Sequence, residues 1–129
     1  MLVAGAGPTG LTMAAELLRY GLSVRLIDRA PAPATTSRAL VVQPRTLEIF
    51  DDLGIAAEAL ARGRRVDAFA AVFPGRAPAR LPLHVDVSDR PELDTAYDSP
   101  LVLSQDRTEA LLTEHLDGLG ERVGRGQQN

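Results

Sequence analysis

Residues Val3 to Arg29 read VAGAGPTGLTMAAELLRYGLSVRLIDR. Three glycines stand at Gly5-x-Gly7-x-x-Gly10, directly after an apolar stretch and directly before a segment of helical period. The apolar stretch, MLVAGAG, is expected to be a strand, shorter than the usual length of about five or six residues. A helix is expected to begin near Pro8, whose fixed φ suits a first helical turn. It would bury Leu11, Ala14, Leu17 and Leu18 and stop at Gly21, a good residue for the left-handed position after a helix. The segment LSVRLID, residues 22–28, reads as a second buried strand, so the three elements form a right-handed βαβ crossover.

Glycine-rich turns are common, and the spacing alone is weak. Its context is what gives it meaning: strand before, helix after, and an acid, Asp28, closing the next strand 18 positions after Gly10. Each glycine has a separate task. Gly5 permits the sharp turn, Gly7 lets backbone approach a diphosphate, and Gly10 lets helix and strand pack closely. Backbone N–H groups and the positive end of the helix dipole then face the phosphates. Asp28 can accept hydrogen bonds from ribose hydroxyls, and its charge disfavours a 2′-phosphate. A strand–turn–helix whose glycines only serve packing is the plainer alternative. The combination favours a dinucleotide site.

Beyond Arg29 the chain changes character. APAPATTS, residues 30–37, is a loop, and LEIFDDLG and IAAEALARG read as short helices stopped by Gly54 and Gly63. In RLPLHVDVS, Leu81, Leu83, Val85 and Val87 alternate with Pro82, His84, Asp86 and Ser88, the period of a strand with one wet face. DAFAAVF (67–73) is its expected partner strand and PLVLSQ (100–105) a third. Asp106 is expected to cap a last helix, with Glu109 at the capping-box position and Leu112, Leu116 and Leu119 as its buried stripe. The tail GERVGRGQQN has no apolar period and is expected to fray.

Composition narrows the function classes. The chain has 129 residues and a net charge of −3, which suits one globular domain without a polyanionic partner. No cysteine is present, so disulfides, thiolate nucleophiles and sulfur-ligated metals are excluded from these residues. His84 and His115 make no metal-ligand spacing, and no Ser-His-Asp constellation can be drawn. All 14 basic residues are arginine. There is no signal-type N-terminus and no apolar run of membrane-spanning length, so a cytoplasmic protein without nucleic-acid or membrane partners is expected. Arg45 is expected to pair with Glu48 on a helix surface. Asp51 and Asp52 are expected to point apart into water, and Arg62, Arg64 and Arg65 to form a solvated helix end.

Three segments, GAGPTGLTMAAELLRYGLSVRLIDR, TTSRALVVQPRTLEIFDDLGI and LVLSQDRTEALLTEHL, carry a family resemblance in order and at similar spacing. From Leu2 to about Leu119 the chain resembles the N-terminal part of class A flavoprotein monooxygenases, the para-hydroxybenzoate hydroxylase-like aromatic hydroxylases, and most closely the branch acting on polyketides. The resemblance implies a Rossmann-like FAD-binding βαβ unit, followed by a partial antiparallel sheet and a C-terminal helix. It implies that Gly5, Ala6, Gly7, Pro8, Thr9 and Gly10 hold the FAD diphosphate, that Asp28 binds the adenosine ribose, and that Arg29 lies beside the adenine. By the same likeness Arg38 would reach the FAD phosphates and ribityl region, and Gln105 the flavin's linker. An arginine fork suits phosphate, and an amide suits polyol hydroxyls. NADPH would be the transient reductant and a small aromatic molecule the substrate.

Family members are usually longer. Their later Asp-Gly and Gly-Asp motifs are not found here, since Asp117-Gly118 falls at a helix end. An incomplete domain is therefore expected: residues 1–119 as the N-terminal part of an FAD-binding domain, with 67–105 contributing strands toward a substrate domain, and 120–129 as a frayed tail. Exposed strand edges would then permit self-association. Two alternatives stay open, a non-catalytic FAD-binding module and an NAD-dependent oxidoreductase half-domain.

Overall fold

The computed structural model describes residues 1–35, 39–66, 68–82 and 95–127. In chain order the first elements are β1 (Leu2–Ala4), α1 (Pro8–Arg19), β2 (Arg25–Asp28), β3 (Val41–Val42), α2 (Pro44–Asp52) and α3 (Ala56–Arg62). They are followed by β4 (Arg64–Arg65), β5 (Ala68–Ala71), β6 (Ala79–Pro82), β7 (Leu101–Val102), α4 (Gln105–Gly118) and β8 (Gly124–Arg125). The chain divides into two compact units, one formed by Met1–Leu40 with Ser104–Asn129, the other by Val41–Leu103. Among the described residues no helix is long and apolar enough to cross a membrane.

The first unit is the expected α/β element. Strands β1 and β2 pair in parallel, Val3 opposite Leu26, and α1 connects them. Leu11, Ala14 and Ala15 of α1 are buried, as are Leu26 and Ile27 of β2. Leu17 and Leu18 are only half-buried, unlike the expected stripe. A helix of 12 residues is about 18 Å long, whereas strands of three and four residues span about 10–14 Å, so the last turn overruns the sheet. Gly21 adopts φ +73°, and the amides of Gly21 and Leu22 return to the carbonyls of Leu18 and Leu17. That C-terminal motif occupies Leu22, so β2 starts at Arg25 rather than at residue 22.

The tail differs from expectation. Gly124 and Arg125 form β8, parallel to β2 with Arg125 opposite Asp28, in the sheet order β1-β2-β8. Glu121 accepts from the Leu26 amide at 3.2 Å, and the Gln127 amide donates to the Asp28 carbonyl at 3.0 Å. A short strand needs no apolar period when its ladder and flanking hydrogen bonds hold it. Helix α4 packs on α1, and its Leu111, Leu112 and Leu116 are buried, while Leu119 lies beyond the helix and is exposed. Its N-cap is Ser104, not Asp106, and Asp106 sits in the first turn with the Ser104 hydroxyl against its carboxylate.

In the second unit α2 and α3 follow one another around Gly54 (φ +77°), and Leu47, Phe50, Ile55, Ala56 and Ala59 are buried. Gly63 ends α3 with extended backbone instead of a left-handed turn. Its lack of a side chain serves packing, since a Cβ there would lie 2.5 Å from Leu101 Cγ. The strands pair differently from the expected single sheet. β7 lies between β3 and β4, antiparallel to both, while β5 and β6 form a separate antiparallel pair with Phe69 opposite Leu81. β3 and β4 have two residues each, too short for any period to reveal them. Leu81 is exposed, so β6 shows no buried face over 79–82. The rest of that alternation, with His84, lies outside the described residues.

Gly10 carries the tightest constraint in the first unit. A Cβ at Gly10 would stand 1.8 Å from the Gly5 carbonyl oxygen, with backbone on the receiving side. Gly10→Ala is expected to destabilise the chain by about 2–3 kcal/mol or to prevent folding. Gly118→Ala, with nothing within 4 Å, should change stability by less than about 1 kcal/mol. Thermal denaturation followed by circular dichroism checks both, and equal melting temperatures for the two variants would contradict the packing argument.

Candidate functional site

The glycine turn is built as its spacing requires. Gly5 has φ +105°, a conformation that side chains disfavour, and its amide donates to the Ile27 carbonyl at 2.7 Å. The turn thereby hangs on β2 while redirecting the chain into α1. Gly7 is the N-cap, with extended backbone and no side-chain cap. The first helical bond runs from the Leu11 amide to the Gly7 carbonyl, so the amides of Thr9 and Gly10 precede it at the positive end of the helix. A Cβ on Gly7 would meet only Glu109 Oε1, at 4.0 Å, which leaves the backbone open to an approaching group.

Asp28 closes β2 beside this turn. The Ala6 amide donates to Asp28 Oδ2 at 2.5 Å, and the Ala30 amide donates to Oδ1 at 2.7 Å. Each oxygen keeps a second acceptor direction for a ligand hydroxyl. The Ala6 amide, then the Ala30 amide, holds the carboxyl below its usual 3.8. Partial burial works in the opposite direction, and the charges of Arg125 and Arg29 add smaller lowering effects.

These groups border a cleft of about 260 Å³ lined by Ala6, Gly7, Asp28, Ala30, Ala32, Ala34, Gln105, Glu109 and Arg125. Gln105 of α4 is among its lining residues, and its Nε2 donates to Glu109 Oε1 at 2.8 Å. Glu109 is buried, with 6% exposure, and packs at the cleft wall rather than closing a capping box. The i, i+4 spacing from Gln105 was the available signal for that pair. Arg125 was not foreseen at all, because its place depends on β8 pairing with β2. Arg29 is exposed and is not part of the lining. Arg38 lies outside the described residues.

Other candidates are accounted for elsewhere. Arg45 pairs with Glu48 as expected, and Arg62 pairs with Glu58 at 2.8 Å. Arg64 and Arg65 lie on β4 rather than on a helix end, and Arg65 pairs with Asp98. With Val66, Ala68, Ala70, Arg80 and Val102 they line a larger cleft of about 620 Å³ in the second unit, with no glycine and no carboxylate among its described lining residues. Asp51 and Asp52 are exposed. Among the described residues no group of three His, Asp or Glu side chains could hold a metal ion.

The cradle fits a dinucleotide diphosphate, because open glycine backbone, a helix N-terminus and a strand-end carboxylate converge on one cleft. The sequence matches the FAD binding domain family over residues 1–128. The chain belongs to that family. This FAD-binding domain is 50% identical over 120 residues to 6-methylpretetramide 4-monooxygenase of Streptomyces rimosus, an alignment covering 93% of the chain and 21% of that relative. It is 35% identical over 128 residues to rifampicin monooxygenase of Streptomyces venezuelae, covering 98% of the chain and 25% of that protein. Among solved structures, the flavin-dependent monooxygenase PieE in complex with FAD and substrate superposes with a TM-score of 0.80 at 33% identity, covering 97% of the chain and 23% of PieE. The domain thus spans about a fifth to a quarter of the length of these relatives.

Asp28 also makes acid stability testable. Its folded carboxyl titrates below 3.8, so its contribution is fully present above that value and is lost as pH falls through the lower folded value. Asp28→Asn should lower stability at neutral pH and flatten the decline below about pH 4. Denaturant titrations at pH 3 and pH 7 check this, and parallel pH profiles for both proteins would refute it.

Proposed function

We propose that the chain supplies the FAD-binding portion of a flavin-dependent monooxygenase that hydroxylates an aromatic, polyketide-like substrate, with NADPH as reductant. The observation that carries this reading is the cleft in which the open Gly5–Gly10 backbone meets the Asp28 carboxylate. Relatives named as monooxygenases of tetracycline-type and rifamycin compounds support the substrate class. The proposal places 67–105 among strands leading toward a substrate domain, which would cover Val72, Phe73 and Leu81, all exposed here. Self-association through uncovered edges and a cytoplasmic location belong to the same reading.

Bound FAD would supply the redox chemistry, carrying electrons from NADPH to oxygen. The protein's own residues bind and orient it. Gly5, Ala6, Gly7, Pro8, Thr9 and Gly10 present backbone to the diphosphate, with Gly7 open for close approach. Asp28, its carboxylate plane fixed by the Ala6 and Ala30 amides, accepts from the ribose hydroxyls. Gln105, held by Glu109, would meet the flavin's linker. By the family likeness Arg38 would serve the phosphates, and Arg29 stands outside the cleft lining as a neighbouring charge on Asp28.

Fluorescence titration with FAD tests the assignment. Wild-type protein should quench FAD fluorescence, Asp28→Ala should weaken binding about tenfold or more, and His84→Ala should leave it unchanged. Excess NAD should displace FAD only weakly. Equal FAD affinity for the two variants, in proteins with matching circular dichroism, would sink the assignment.

A further inference from the structure

Strand order gives the cleft a direction. The glycine turn leaves β1, Asp28 ends β2, and Arg125 ends β8, in adjacent positions across one parallel sheet. With about 4.8 Å between neighbouring strands, Arg125 lies about 10 Å across the sheet from the glycine turn. That span suits a ribose and the base attached to it. A dinucleotide with its diphosphate at the turn and its ribose at Asp28 therefore carries its base to Arg125.

The surroundings of Arg125 suit a base better than a phosphate. Besides Asp28 and Arg125 the cleft is lined by Ala30, Ala32 and Ala34, small apolar side chains without donors, and by Gln105 and Glu109, which bond each other. Arg125 is also held in register. The Gly126 amide donates to the Ala30 carbonyl at 3.2 Å, the Gln127 amide to the Asp28 carbonyl at 3.0 Å, and Gly126 turns the chain away at φ +71°. Among the described residues its guanidinium makes no salt bridge, although its charge acts on Asp28. A planar guanidinium in such a setting stacks on a purine face.

We infer that Arg125 is a specificity-determining residue that stacks on the adenine base of the dinucleotide, between the β8 end and the alanine wall. This rests on the FAD reading and adds a residue that makes the site prefer a purine nucleotide. Arg29, exposed and outside the lining, does not take this role.

Calorimetric titration of the chain with ADP, UDP and FAD tests the inference, using wild type, Arg125→Met and Arg125→Lys. Wild type should bind ADP more tightly than UDP. Both variants should lose about tenfold in ADP and FAD affinity with a smaller loss for UDP, so the purine preference shrinks, while the salt dependence of ADP binding stays the same. An unchanged ADP-to-UDP ratio in Arg125→Met would overturn the inference. So would full recovery of ADP affinity in Arg125→Lys, which would make Arg125 a plain phosphate cation. Wild-type protein that binds neither ADP nor FAD would remove the FAD reading itself, an outcome distinct from tight binding with an unchanged ratio. If Arg125→Met fails to give the wild-type circular dichroism spectrum, Arg125→Lys alone decides by the same ratio.

Discussion

The Ala6 amide and the Asp28 carboxylate, 2.5 Å apart, fasten the glycine turn to the end of the second strand. That contact lets a backbone cradle act together with a side chain from the next strand. Without it, the turn after β1 would be held to β2 mainly by the Gly5 amide on the Ile27 carbonyl. With it, the carboxylate plane is fixed before any ligand arrives, so less ordering cost falls on binding. Close packing of Gly10 under the Gly5 carbonyl sets the approach of α1, and the alanines of α1 keep the helix near the strands. Each feature depends on the absence of side-chain bulk at one or two positions.

How much of this was legible from residues alone depended on the length of each element. The βαβ unit could be read because its periods are long enough to count and its glycines sit where backbone geometry demands them. Helices α2, α3 and α4 were readable for the same reason. What escaped were pairings of two residues, β3, β4 and β8, whose positions are set by partners distant in the sequence. The misreading of Glu109 has a related cause. Its spacing from Asp106 satisfied a local capping pattern, while burial against the cleft wall and a hydrogen bond from Gln105 decided its orientation. Arg125 followed β8 into obscurity, since a polar tail without apolar period offers nothing to distinguish an ordered arginine from a solvated one.

The chemistry divides along the same line. Glycine spacing and a strand-end acid suit a diphosphate and a sugar, because few other arrangements use that backbone geometry. The substrate leaves no such mark in these residues. Relatives that share the family are named for 6-methylpretetramide and rifampicin, and this chain covers only about a fifth to a quarter of their length.

The pairing of β8 with β2 has a kinetic implication. The first unit is discontinuous in sequence, with residues 41–103 intervening between its two parts. During synthesis, the nascent β2 edge must wait until Arg125 has emerged before its ladder is complete, so an unpaired template is exposed to other chains for that interval. Prior compaction of the intervening stretch would shorten the effective loop and lower the entropy of closure. Refolding of this domain should therefore be governed by the order in which its halves meet, more than by the speed of any single helix.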